Sequence, residues 1–191
     1  MAVTRFEDLD LSRQYTYADY LTWRFEERVE LLRGWVARMS PAPSPYHQRV
    51  STELQGALYV YLRGSDCLLF SAPFDVRLAN TSGGETVVQP DLCVVCDAGK
   101  IDERACVGPP DFVVEILSPS NTKRELRDKF ELYEESGVRE YWIVDPVRRS
   151  VARFVREGAR FIGLAPRTED DERIESQALA GFAIDGREVF P

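Results

Sequence analysis

Histidine is almost missing from this 191-residue chain, where His47 is the only one. Lysine is scarce as well: Lys100, Lys123 and Lys129 are the only lysines among 24 basic residues. Arginine is therefore the default surface cation, and a lysine in a significant place is more informative than usual. No apolar run approaches the roughly 20 residues that cross a bilayer, so no membrane segment is expected. The N-terminus, MAVTRFEDLD, carries acids and lacks an apolar stretch, so no secretory signal is expected and the location is read as cytoplasmic. Repeats, low-complexity tracts and linkers are also absent. The length suits one domain with a full core, so residues 1–191 are expected to form a single domain.

A basic cluster is lacking too. The net charge is −8, KRELR at 123–127 is interrupted by an acid, and the longest basic pairing is Arg148-Arg149. Nonspecific nucleic-acid binding runs on cations neutralising phosphates, and this composition works against it. Any phosphate chemistry must draw its positive charge from one local place or from metal ions.

Four cysteines are present, Cys67, Cys93, Cys96 and Cys106. Cys93 and Cys96 form a lone CxxC, but DLCVVC reads as a strand, where residues three apart point to opposite faces and cannot grip one metal. The cysteines are expected to be buried, reduced and structural.

The apolar pattern gives the elements. TYADYLTWRFEER, 16–28, reads as a helix with Thr16 as N-cap. ELLRGWVARMS reads as a strand or hairpin turning at Gly34. PAPSP, 41–45, is a breaker-rich loop, and 46–62 is a second helix with Val50, Leu54, Ala57, Leu58 and Tyr61 at helical spacing. CLLFS and FDVRLA read as a hairpin pair joined by Ala72-Pro73, and NTSGGE, 80–85, as a turn. VVQPDLCVV and DFVVEILS are near-continuous apolar runs, as in strands covered on both faces, with a loop, DAGKIDERACVGPP, between them. Residues 121–136 form a third helix, capped by Asn121 or Thr122 and closed by Gly137. REYWIVD is another buried strand, RRSVARFVREGARFIG a hairpin around Gly158, and the remainder short strands and turns. The order predicts an α/β (α+β) fold: a central mixed sheet flanked by helices, with added β-hairpins at both ends.

Two acids interrupt the apolar strands. Glu115 sits inside DFVVEILS, sharing a face with Val113 and Leu117, and a buried carboxylate must be protonated, paired or metal-bound. A salt bridge to an arginine is the alternative to function. Asp91 follows Pro90, which cannot donate to a sheet, so the strand is irregular where this carboxylate is presented; simply capping a turn is its alternative. Carboxylates on neighbouring strands can share a hard cation such as Mg2+. Lys129 lies on the apolar side of the third helix with Leu126, Phe130 and Tyr133. There it could orient an attacking water or stabilise charge on a phosphorane, unless it snorkels to solvent or pairs with Glu125. His47, at the start of the second helix, could be a general base or a DNA contact, or merely part of a helix N-terminus. Glu30, at the end of the first helix, reads by itself as a surface acid.

The segments QPDLCVV, PPDFVVEILSPSN, DKFELYEESGV and REYWIVDP, with ELLRGWVARMSPAPSPYHQRV upstream, resemble the Uma-two family of restriction-endonuclease-like proteins in the PD-(D/E)XK superfamily. The resemblance covers about residues 15–155. It implies a restriction-endonuclease-like core, Mg2+ or Mn2+, and a DNA substrate. Asp91 matches the motif aspartate and Glu115 the second acid, and the backbone carbonyl of Ile116 would be a further metal ligand. The lysine usually two residues after the acid is replaced by Leu117; Lys129 resembles the family's relocated lysine. Glu30 and His47 match the upstream acid and histidine. Glu125 stands where the family usually has aspartate.

The resulting expectation is a metal-dependent DNA endonuclease that hydrolyses phosphodiesters by metal-activated water. Cutting both strands usually needs two active sites, which points to a homodimer, with REYWIVD or the late hairpin as interface or core. Two other readings stand beside it: a noncatalytic DNA-binding or assembly module that keeps the fold, and a structural protein in which Glu115 pairs with Lys129 and no metal binds.

Overall fold

A computed structural model describes residues 3–39, 44–79, 83–119 and 121–190. The positions 41–43 of the proline-rich loop and 80–82 of the NTSGGE turn lie outside them. The chain runs through α1 (Tyr17–Tyr20), the hairpin β1 (Val29–Leu32) and β2 (Trp35–Arg38), then α2 (Pro45–Tyr61), β3 (Leu68–Ser71), β4 (Asp75–Leu78), β5 (Thr86–Val88) and β6 (Leu92–Val95). It continues through β7 (Ala105–Val107), β8 (Phe112–Ile116), α3 (Lys123–Ser136), β9 (Glu140–Asp145) and the hairpin β10 (Ser150–Glu157) and β11 (Arg160–Gly163). Short pieces close it: β12 (Arg167–Thr168), β13 (Ile174–Glu175), β14 (Ala183–Ile184) and α4 (Gly186–Val189).

Two mixed sheets organise these elements, so the expected α+β class with helices against mixed sheets holds. Among the described residues the larger sheet has the order β11-β10-β9-β8-β6-β3, with β12 beside β10, and the smaller β2-β1-β5-β4-β7. β8 runs parallel to β9 and antiparallel to β6. Strand alternation divides the core. Phe112, Val114 and Ile116 of β8 pack with Val50, Leu54 and Leu58 of α2, while Val113 faces Leu132 and Tyr133 of α3. Glu115 shares the Val113 side by the same period of two, so β8 carries one acid into the layer beneath α3.

Several expectations need correction. The helix over 16–28 shrinks to α1. Thr16 does cap it, in a capping box with Asp19, but Arg24 then donates its N–H to the carbonyl of Val3, and Trp23 and Phe25 join Tyr15 and Phe6 in an aromatic cluster. Tertiary packing of aromatics outweighs local propensity there. CLLFS and FDVRLA do not pair with each other: β3 pairs with β6, and β4 with β5 and β7, because Ala72-Pro73 carries the chain from one sheet to the other. VVQPDLCVV likewise splits at Gln89–Asp91 into strands of different sheets, since Pro90 has no N–H to continue a ladder. REYWIVD is the strand β9, enclosed between β8 and β10 and largely buried, so it is core and not an interface. Cys67 and Cys96 form a disulfide instead of staying reduced; Cys93 and Cys106 are free and buried. The alternation argument itself holds, because Cys93 packs in the core beneath α3 and Cys96 against the core beneath α2.

Candidate functional site

The gap between β5 and β6 is where the two sheets meet, and it sets the site. Gln89 donates its backbone N–H to Glu30 Oε1 at 2.8 Å, tying the gap to β1. The Gln89 side chain bridges Arg28, Tyr20 and Asp75, which fixes it on the other side. Asp91, two residues on, accepts the Ile116 backbone N–H at 2.7 Å through Oδ2. The irregular backbone expected from Pro90 therefore delivers one carboxylate to the end of β8.

Glu115 precedes Ile116 on that strand and is nearly enclosed. Both of its hydrogen bonds fall on Oε1, from Lys129 Nζ at 2.9 Å and from the Tyr133 hydroxyl at 2.7 Å. α3 supplies both donors because positions 129 and 133 are one turn apart on the same face. Thr122 caps this helix in a capping box with Glu125, and Gly137 ends it in a left-handed conformation that suits glycine, so its register against β8 is fixed at both ends. Lys129 Nζ also meets Glu30 Oε1 at 3.0 Å.

Electrostatics follow from burial and partners. Burial opposes charge on Lys129, but the carboxylates of Glu115 and Glu30 outweigh it and hold its pKa well above the ordinary lysine value. Burial lifts the Glu115 pKa to about 7, against the pull of Lys129 and helped by Asp91 and Glu30. Burial also raises the Tyr133 hydroxyl well above its usual value, so it remains a donor. His47 Nε2 lies 3.0 Å from the Ile116 carbonyl oxygen and 3.4 Å from Asp91 Oδ2. Burial disfavours its charged form, yet Asp91 and the Ile116 carbonyl more than compensate and raise its pKa.

All five sequence-derived side chains, Glu30, His47, Asp91, Glu115 and Lys129, line one cleft of about 80 Å³ together with Ile116. That is room for two or three waters. Glu30 corrects its surface reading: it sits on β1, not on a helix, and is only 3 % exposed. Lys129 neither snorkels nor pairs with Glu125, and Glu115 finds a lysine in place of an arginine. Tyr133 and Gln89 escaped the sequence reading. Tyr133 looked like one more apolar position of α3, although its spacing from Lys129 was a signal; Gln89 acts through its backbone and gave none. A wider groove of about 450 Å³ between the β1–β2 hairpin and α3 adjoins the cleft, sharing Glu30 and Glu125 with it, and Trp35 lies along it.

The residues fit a hard divalent cation. Asp91, Glu115 and the Ile116 carbonyl offer oxygen donors only, and one or two carboxylates completed by water and substrate phosphate is the Mg2+ pattern. Among the described residues no three His, Cys, Asp or Glu side chains stand as a ready cage.

Comparison with known proteins speaks to the fold and the family. The fold matches the crystal structure of "a putative nuclease belonging to DUF820" from Anabaena variabilis, with TM-score 0.75 and 18 % identity over 92 % of this chain and 97 % of that one. An uncharacterized protein of Synechocystis sp. is 30 % identical over 117 residues, 60 % of this chain and 60 % of its own length. Residues 17–186 match the family described as "Uma2: Putative restriction endonuclease", and the chain belongs to that family.

Proposed function

We propose that this protein is a metal-dependent endonuclease that hydrolyses phosphodiester bonds of DNA at the Asp91–Glu115–Lys129 cleft. The observation that carries the reading is the cleft's charge balance. Among the described residues, Glu30, Asp91, Glu115 and Glu125 supply four carboxylates against Arg28, Lys129 and the imidazole of His47. A purely structural Glu115–Lys129 pair would need one acid per ammonium; here two carboxylates share one. The surplus of buried oxygen suits a Mg2+ or Mn2+ ion held by Asp91, Glu115 and the Ile116 carbonyl. A bound ion of this kind neutralises a phosphate oxygen and makes a hydroxide-like nucleophile accessible near neutral pH.

The chain's own residues do the rest. Lys129, kept protonated, presents an ammonium that orients the attacking water or balances charge building on the phosphate. Glu30 acts through Lys129 and is a positioning residue. Tyr133 holds Glu115 Oε1, which leaves Oε2 for another ligand, and the Ile116 N–H fixes Asp91. Cleaving both strands usually takes two such sites, which fits a homodimer.

The test is plasmid nicking in Mg2+ or Mn2+. Asp91→Ala and Glu115→Ala should abolish it while circular dichroism keeps the folded signature of the parent, Glu115→Ala with a lower melting point because Lys129 and Tyr133 lose their shared acceptor. If both variants nick as fast as the parent, the assignment fails. The net charge of −8 and the lack of a basic cluster favour a second reading, a noncatalytic DNA-binding or assembly module. Gel shift in Ca2+ without cleavage in Mg2+ or Mn2+ would support that one.

A further inference from the structure

His47 is seated by the start of α2, where Ser44 accepts its backbone N–H and caps the helix. Its ring is buried, and only one edge of it is bonded. Nε2 faces the Ile116 carbonyl at 3.0 Å and Asp91 Oδ2 at 3.4 Å, while Nδ1 is buried with no partner among the described residues. Two oxygens of negative character thus converge on one ring nitrogen. They are held together from the other side by the Ile116 N–H on Asp91 Oδ2. Converging acceptors repel unless a positive group lies between them, and the Nε2–H is the group that lies there. A Mg2+ ion held by Asp91 and the Ile116 carbonyl would take the same two oxygens that the imidazole now meets.

We infer that His47 is a positioning residue that holds the place of the divalent ion: its Nε2–H keeps the Asp91 carboxylate and the Ile116 carbonyl converged, and ion and imidazole compete for that seat. This inference rests on the metal reading proposed above. The stranded Nδ1 explains why the seat can be given up. A buried ring nitrogen with no partner among the described residues is costly, so the ring gains a partner by turning outward when the ion arrives. A histidine whose task was only to lock α2 onto β8 would stay in place.

The chain has one histidine, so its imidazole resonances are unambiguous. The full chain, labelled with 15N-histidine, is titrated with Mg2+ at one fixed pH while calorimetry with Mn2+ measures ion binding separately. The Nε2 and ring C–H signals should move in step with occupancy, and the Nε2–H should lose its protection from exchange. His47→Ala should tighten ion binding about tenfold, the gain expected when a competitor that fills the seat about nine-tenths of the time is removed. His47→Phe, which keeps a ring without the N–H, should tighten it as well. Ion binding with unmoved imidazole signals overturns the inference and leaves the metal reading intact. So does a tenfold weaker ion in both variants, because the ring would then be supporting the site. No heat with any divalent ion overturns the metal reading itself and this inference with it.

Discussion

Lys129 shows what a single side chain contributes. It has lost nearly all contact with water, and it is charged only because Glu30 and Glu115 face it. Removing one partner of a buried pair leaves the others uncompensated, at a cost of about 3–5 kcal/mol. Lys129→Met should therefore lower the urea midpoint by an equivalent amount, and Mn2+ should recover part of the loss, because a divalent ion answers the same surplus of carboxylate. Recovery equal to that of the parent's own response would argue against a shared role. The free cysteines make the opposite case. Burial pushes the Cys106 thiol up to about 11, and the Cys93 thiol is raised further by the same cause. A raised folded pKa means stability that is intact below the ordinary value of 9.0 and lost as pH climbs past it. Denaturation midpoints should fall between about pH 9 and 11, less so in Cys93→Ala/Cys106→Ala, with Tyr133 and Tyr141 adding their share at the upper end. Native protein at pH 8 should resist iodoacetamide at both positions. The residue scale is also where the sequence was most readable. Asp91, Glu115 and Lys129 each interrupt an apolar pattern, and that interruption is visible without coordinates. Glu30 was visible only through family resemblance, and His47 only as a lone histidine with an open role, because their partners lie far away in the chain. The Cys67–Cys96 bridge left no trace in spacing at all.

Among the elements, α3 and β8 were legible nearly to the residue, since caps, period and breaker all agree there. α1 was not: a helical period of aromatics reads the same whether those rings line a helix or fold back on their neighbours, and here they fold back. The separate destinies of β3 and β4 were equally hidden, because pairing partners are chosen by tertiary contacts and not by local pattern. The β1–β2 hairpin bears most directly on the proposed function. It forms one wall of the groove that opens into the cleft, and Trp35 on it is 47 % exposed with no ring partner among the described residues, while Trp23 and Trp142 are buried. An exposed indole can stack on an unpaired base, which contributes about 1–3 kcal/mol per base. On the nuclease reading, Trp35→Ala should weaken binding of single-stranded oligonucleotides in Ca2+ by about tenfold or more, and leave calorimetric ion binding unchanged. Quenching of tryptophan emission by oligonucleotide should vanish in the same variant. Quenching that persists would move the contact elsewhere.

At the scale of the whole molecule, a buried acid joins the C-terminal pieces to the central sheet, beside the bonds from Arg149 and Arg153 to the Phe190 and Glu175 carbonyls. Glu140 on β9 accepts the Trp142 indole N–H, the Ser176 hydroxyl and the backbone N–H groups of Gln177 and Ala178. Each donor faces a carboxylate oxygen, so Glu140→Gln would turn an amide N–H toward donors and strand them. A loss of about 3 kcal/mol or more is expected, with early proteolytic cleavage after β12; unchanged protection of residues 174–190 would show that packing alone holds that segment. The second molecular property is the negative charge. A chain of −8 repels a polyanion as a whole, while its cleft carries excess carboxylate of its own. On the proposed reading, then, DNA can dock only when a divalent ion reverses the local sign. Fluorescence anisotropy should find almost no DNA binding in EDTA and clear binding in Ca2+, lost again in Asp91→Asn/Glu115→Gln. With no basic cluster in the sequence to displace counterions together, the logarithm of affinity should fall only shallowly with the logarithm of monovalent salt, by a slope of about −3 or less steep. A steep slope together with full binding in EDTA would mean that arginines, and not an ion in the cleft, bring the nucleic acid to this protein.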